Sequence, residues 1–126
     1  MLKLDASCAA CEVFTYKEGL LSVIAHDLCL KVTRFSVDID PEAGSIDARF
    51  DARSLRVEHA MAGGAPARGA LSDSDKRKIE QNIATDVLDA AKHPEIRFAS
   101  RSMRREGDGF RVEGDLSIRG RTRPIA

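Results

Sequence analysis

Three stretches of the chain alternate apolar and charged side chains with a period of two, and this pattern commits them to half-buried β-strands. From Ile46 the even positions Ile46, Ala48, Phe50 and Ala52 are apolar, while Asp47, Arg49, Asp51 and Arg53 are charged. The parity recurs where Ile96, Phe98 and Ser100 oppose Arg97, Ala99 and Arg101. It returns where Phe110, Val112, Gly114, Leu116 and Ile118 oppose Arg111, Glu113, Asp115, Ser117 and Arg119. The last two stretches flank Glu106-Gly107-Asp108-Gly109, residues that tolerate positive φ, so they are predicted to form an antiparallel hairpin.

Upstream, Val13 to Tyr16 and Leu20 to Ala25 flank Lys17-Glu18-Gly19, a second expected hairpin. Leu28, Leu30 and Val32 share even parity, whereas Phe35, Val37 and Ile39 are odd; one extra residue near Thr33 and Arg34 would restore a single inward face, which predicts a β-bulge. Asp40-Pro41-Glu42-Ala43-Gly44 makes the turn into the Ile46 strand. The β pattern breaks between Arg53 and Pro94. There His59 to Ala70, rich in Ala and Gly, reads as a mobile loop. After it Ser72-Asp73-Ser74-Asp75 offers N-capping oxygens, and Ile79, Ile83 and Val87 repeat every four residues, so an amphipathic helix follows, with a second short turn from Asp86 to Ala91 stopped by Pro94. The expected architecture is mainly β, a meander of antiparallel hairpins with one α-helix between strands, and six strands plus a stub after Arg121.

At 126 residues the chain reads as one domain, residues 1–126. Its 20 Lys+Arg balance 20 Asp+Glu, and five Phe, one Tyr and no Trp give few stacking platforms, so nucleic acid is not an expected partner. No stretch approaches the roughly 18 apolar residues of a transmembrane helix, and stable membrane insertion is not expected. Cys8, Cys11 and Cys29 cannot all pair within the chain, and no secretory apolar region follows Met1; a cytoplasmic location is expected, or a periplasmic one if a leader has been removed.

The segment Ala91-Lys92-His93-Pro94-Glu95-Ile96-Arg97-Phe98-Ala99-Ser100, and the run from Gly109 through Gly114-Asp115-Leu116-Ser117 to Gly120-Arg121-Thr122-Arg123-Pro124, closely resemble the YceI-like family. That family carries a Lys-aromatic-Pro segment leading into a strand with Phe and Ser, then a Gly-Asp-Leu-Thr strand ending in Gly-x-Thr-x-Pro. The resemblance spans about Val13 to the last residue. It implies an antiparallel lipocalin-like barrel with a helix near one end, whose interior holds a long isoprenoid such as a polyprenyl lipid or quinone tail. His93 stands where the family commonly has an aromatic residue, and Cys8-Ala9-Ala10-Cys11 has no counterpart in it. Family members continue past the Gly-x-Thr-x-Pro strand. A closed ligand-holding barrel usually needs about eight strands, so the barrel is expected to be incomplete, with an open edge available to a second copy.

The candidate ligand-binding face consists of Val13, Leu21, Val23, Val32, Phe35, Val37, Phe50, Phe98, Phe110, Val112, Leu116 and Ile118, with Ile83 and Val87 from the helix. The same residues would serve an ordinary packed core. The preferred reading is non-enzymatic binding or carriage of an isoprenoid or other long-chain lipid, with the helix and the loop around Gly63-Gly64 as a gate. The alternative is an interaction module with a dry core that pairs through its open edge. A catalytic group of His26, Asp27 and Ser22 or Cys29 is disfavoured because adjacent strand residues point to opposite faces. No cofactor is expected. Neither Cys8-x-x-Cys11 nor His59 and His93 has the partners of a zinc motif, so no metal is expected either. The basic residues Arg97, Arg101, Arg104, Arg105, Arg111, Arg119, Arg121 and Arg123 interleave with acids and read as a solvated outer face.

Overall fold

Alternation builds two antiparallel sheets. The computed structural model describes residues 2–16 and 27–126. The larger sheet has the order β1 (Leu2–Asp5), β4 (Phe35–Asp40), β5 (Ser45–Asp51), β8 (Glu95–Glu106), β9 (Gly109–Ile118) and β10 (Arg121–Ile125). The smaller has the order β2 (Cys11–Thr15), β3 (Asp27–Val32), β6 (Leu55–Ala62) and β7 (Ala65–Ala67). The helix α1 (Asp73–Asn82) and a π-helical turn over Ile83–Val87 connect the smaller sheet back to the larger. The protein is therefore mainly β and antiparallel with one α-helix, as the periodicity requires. Among the described residues the sheets do not close into a barrel, and there are ten strands rather than six and a stub.

Cross-strand partners place the apolar parity on one face of the larger sheet. Leu4, Val37, Ala48, Phe98 and Leu116 form one continuous row across β1, β4, β5, β8 and β9. The opposite face carries ion pairs such as Arg97 to Asp47 at 3.0 Å and Arg101 to Asp115 at 3.4 Å, both well exposed and worth little individually. The β8–β9 hairpin forms where expected, with Gly107 at φ 59° in its turn. The β9–β10 turn has positive φ at both Arg119 and Gly120, the geometry that matches the twist of a two-residue hairpin.

The parity change at Thr33 and Arg34 is a corner, not a bulge. β3 belongs to the smaller sheet and β4 to the larger, so the chain changes sheets there. A second crossing lies between β5 and β6, and buried Ser54 ties the two together. Its hydroxyl accepts from Arg34 N at 3.1 Å and lies 2.8 Å from Asp51 O, while its carbonyl accepts from Thr33 N at 2.9 Å and Thr33 Oγ1 at 2.8 Å.

The segment His59 to Ala70 is not a loop throughout. Its first part completes β6, and Gly63-Gly64, at φ 59° and 79°, turns the chain into β7. The hairpin expected around Lys17-Glu18-Gly19 lies outside the described residues.

The helix begins where the capping signal places it. Ser72 Oγ accepts from Asp75 N, and Asp75 Oδ2 accepts from Ser72 N, each at 3.1 Å, forming a reciprocal capping box. β7 pairs only with Ala60 to Ala62, and beyond its reach Glu80 of α1 supplies the acceptor for Val57 N at 2.8 Å, which fastens the helix to the sheet edge. At the far end Leu88 N bonds Ile83 O at 2.8 Å, closing the π-helical turn. The core sits beneath it, where Leu28, Leu30, Ala52, Val57, Ile83, Leu88, Ala90 and Ile96 pack together.

Candidate functional site

Packing two apolar sheet faces under a single helical turn leaves more space than the side chains fill. A cavity of about 740 Å³ lies between the sheets, a volume typical of small-molecule sites. The smaller sheet contributes Leu30, Val32 and Leu55, and β2 contributes the run from Cys11 to Thr15, followed by Tyr16. The larger sheet contributes Phe50, Ile96, Phe98, Leu116, Ile118 and Ile125. Ile83, Val87 and Leu88 cover it from the helical side. Among the lining residues only Cys11, Glu12, Thr15 and Tyr16 have polar side-chain atoms, and the Glu12 carboxylate lies toward Cys29 Sγ, 3.5 Å away, rather than toward the cavity. Thr15 Oγ1 is buried and has no hydrogen-bond partner among the described residues.

The helical cover is positioned by the β9–β10 turn. Positive φ at Arg119 directs its guanidinium to Asp86 O at 3.1 Å and Val87 O at 3.3 Å, carbonyls that the end of a helical segment leaves without partners. The next residue, Gly120, lies against His93: a β-carbon there would be 3.4 Å from its Cε1. Thus His93 meets Gly120 in the turn whose Arg119 holds the helical cover.

Of the residues expected to face a ligand, Val13, Val32, Phe50, Ile83, Val87, Phe98, Leu116 and Ile118 line the cavity. Leu21 and Val23 lie outside the described residues, as do Ser22 and His26. Four others lie elsewhere. Val37 is one strand further from the helix, paired with Ala48 and Leu4. Phe35 packs on Phe50, ring centroids 6.3 Å apart, and borders a separate open depression with Arg34, Asp51 and Pro94. Phe110 and Val112 project beyond the reach of β5, whose pairing with β8 ends at Asp47 and Ala99; Phe110 is 61% exposed as a result. Gly63-Gly64 does not line the cavity either; of the two elements expected to gate it, the helical one borders it through Ile83, Val87 and Leu88.

Leu30 and Ile96 share the parity of Val32 and Phe98, and that signal alone places them in the lining. Leu55 and Leu88 fall in the segment where β alternation is interrupted, and no period marks them.

The outer face of the smaller sheet holds a second grouping. Cys29 Sγ, a His59 ring nitrogen and a Glu58 carboxylate oxygen all lie within 4.8 Å of one another, with Cys29 and His59 buried. Glu12 Oε2 is 3.5 Å from Cys29 Sγ. Burial, the hydrogen bond to Glu12 and the charges of Glu12 and Glu58 push the Cys29 thiol up, the reverse of what activates a nucleophile. His59 is thus a buried strand residue rather than part of a mobile loop.

Residues 12–126 match the family model of the YceI-like domain. Over 42 residues the chain is 38% identical to Protein YceI of Escherichia coli O157:H7, covering 33% of this chain and 22% of that protein. The match to Protein YceI of Shigella sonnei has the same identity and coverage. The matched segment is about a fifth of the length of these curated relatives, 22% of each. The crystal structure of Burkholderia cenocepacia BcnA superposes with a TM-score of 0.54 at 21% identity, covering 81% of this chain and 58% of that one, a likeness of fold. No helix among the described residues is long and apolar enough to cross a membrane.

Proposed function

The chain belongs to the YceI-like family, and on that premise we propose that residues 1–126 act as one domain that binds a long-chain isoprenoid, such as a polyprenyl or quinone tail, between its sheets. The composition of the cavity lining carries this reading: about 740 Å³ is bounded by aliphatic and aromatic side chains, with few polar groups. Val13, Val32, Phe50, Ile83, Val87, Phe98, Leu116 and Ile118 contact the tail in this proposal.

Binding of this kind needs no bond-making residue. Burial of hydrocarbon contributes about 0.8 kcal/mol per methylene, so a five-carbon isoprene unit is worth about 4 kcal/mol at most. Association costs about 4–15 kcal/mol. Several units must therefore be enclosed before binding is tight, and chain length rather than the head group dominates affinity. Thr15 Oγ1 is the buried polar atom placed to take a hydrogen bond from a polar atom on the chain.

Entry is proposed between β2 and β10, where Val13, Tyr16 and Ile125 form an exposed apolar rim, Tyr16 at 66% and Ile125 at 40%. A second copy docking on these edges would cover the same rim, and in this reading the protein is a non-enzymatic carrier that can dimerise there. Its three free cysteines suit a reducing compartment.

The test is a titration with isoprenoid alcohols of increasing length, with light scattering on the same samples. Affinity rising with each added unit until the cavity is filled is the expected result. Affinity independent of length would remove the tail as the recognised element.

A further inference from the structure

The ladder between β3 and β6 slips by one residue. Cys29 pairs with His59 and Leu30 with Val57, which leaves Glu58 as the extra residue of a bulge. In a regular strand Glu58 would face the side opposite His59. The bulge instead keeps Val57 in the core and turns two successive side chains, Glu58 and His59, toward Cys29 on the outer face. Three donors of different chemistry are thereby gathered from two strands. Glu12 on β2 adds a carboxylate 3.5 Å from the sulfur.

We propose that Cys29, His59 and Glu58 bind one thiophilic divalent cation of the zinc type, with Glu12 as the fourth donor. A thiol sulfur, an imidazole nitrogen and carboxylate oxygens form a ligand set that suits zinc and is poor for magnesium or calcium. In a tetrahedral zinc site neighbouring donors are about 3.5 Å apart. The Cys29, His59 and Glu58 donors lie within 4.8 Å of one another and Glu12 Oε2 is 3.5 Å from the sulfur, so modest side-chain rotations suffice to close the site. Glu58 is exposed and has that freedom. His59 Nδ1 lies 3.1 Å from Ala60 O, and donation to that carbonyl leaves Nε2 with a lone pair free for a metal. The bound ion would join β2, β3 and β6 on the face opposite the cavity.

The test uses the full chain, stripped of metal, titrated with zinc chloride by calorimetry and with cobalt chloride by absorbance. The expected result is one equivalent of zinc and a thiolate-to-cobalt charge-transfer band. Cys29→Ser removes the band, and Glu58→Gln weakens zinc binding by at least about tenfold, while Cys8→Ser/Cys11→Ser changes neither. Because Cys29 is buried, Glu58→Gln at an exposed position and the Cys8/Cys11 variant decide the matter if Cys29→Ser fails to fold. Absence of zinc uptake, cobalt bound without the band, full zinc affinity in Glu58→Gln, or loss of the band in the Cys8/Cys11 variant would overturn the site.

Discussion

The ring of Phe98 lies over Gly114, so that a β-carbon on Gly114 would sit 2.7 Å from its Cζ. The same β-carbon would collide with Ala99 O and come within 2.8 Å of Ser100 Cα. Glycine here leaves room for the cavity-lining Phe98 to reach across from β8 to β9. Gly114→Ala is expected to destabilise the fold by about 1–3 kcal/mol through overpacking. Adding Phe98→Leu should recover only part of this loss, because the backbone contacts remain. Urea melts of the single and double variants check this, and full recovery would show that the ring alone demands the glycine.

Much of this arrangement is legible in the sequence, and the misses have definite causes. The alternation through Ile46 to Phe50 and Ile96 to Phe98 sets strand identity and inward face together, because a one-residue error would expose every apolar side chain. Ser72 and Asp75 mark the helix start by their own chemistry. At Thr33 and Arg34 a parity change is equally compatible with a bulge and with a change of sheet, and only the distant Ser54 distinguishes them. β6 and β7 are hidden because Ala60, Ala62, Ala65 and Ala67 have little strand preference of their own; neighbouring strands impose the conformation. The Cys29 and His59 pairing depends on a register slip that leaves no local trace in either segment.

Ser54 holds both sheet crossings, so Ser54→Ala should cost more than a surface serine. It removes the buried hydroxyl that accepts from Arg34 N at 3.1 Å and lies 2.8 Å from Asp51 O. A loss of about 1–3 kcal/mol is expected, measured as a lowered urea midpoint with unchanged slope. A change below a few tenths of a kcal/mol would show that water replaces the hydroxyl.

Asp47 is held below the usual carboxylate range, first by the hydrogen bond from Arg97 and then by its charge. With the folded value depressed, the pair's contribution is present above the unfolded carboxylate value and is lost as pH falls through the folded one. Both side chains are about half exposed, so the contribution is small. In Arg97→Ala the Asp47 carboxyl carbon is expected to titrate nearer the ordinary range by NMR, with little change in the urea midpoint at neutral pH. An unaltered titration would contradict the assignment.

The cysteines should differ in reactivity. Cys8 is exposed, while Cys29 is buried and its thiol is pushed up. Iodoacetamide labelling followed by peptide mass spectrometry should find Cys8 modified first and Cys29 last in the folded protein. Early modification of Cys29 would mean that the outer face of β3 opens readily.

Leu116 lines the cavity, paired with Phe98 and packed against the core. Organic extraction of the purified protein, with mass spectrometry of the extract, tests the greasy interior most directly. The protein as expressed should release an isoprenoid or similar long-chain lipid in near-stoichiometric amount, and folded Leu116→Asp should release none. An extract empty of lipid from the unaltered protein, or equal lipid from both, would contradict the account.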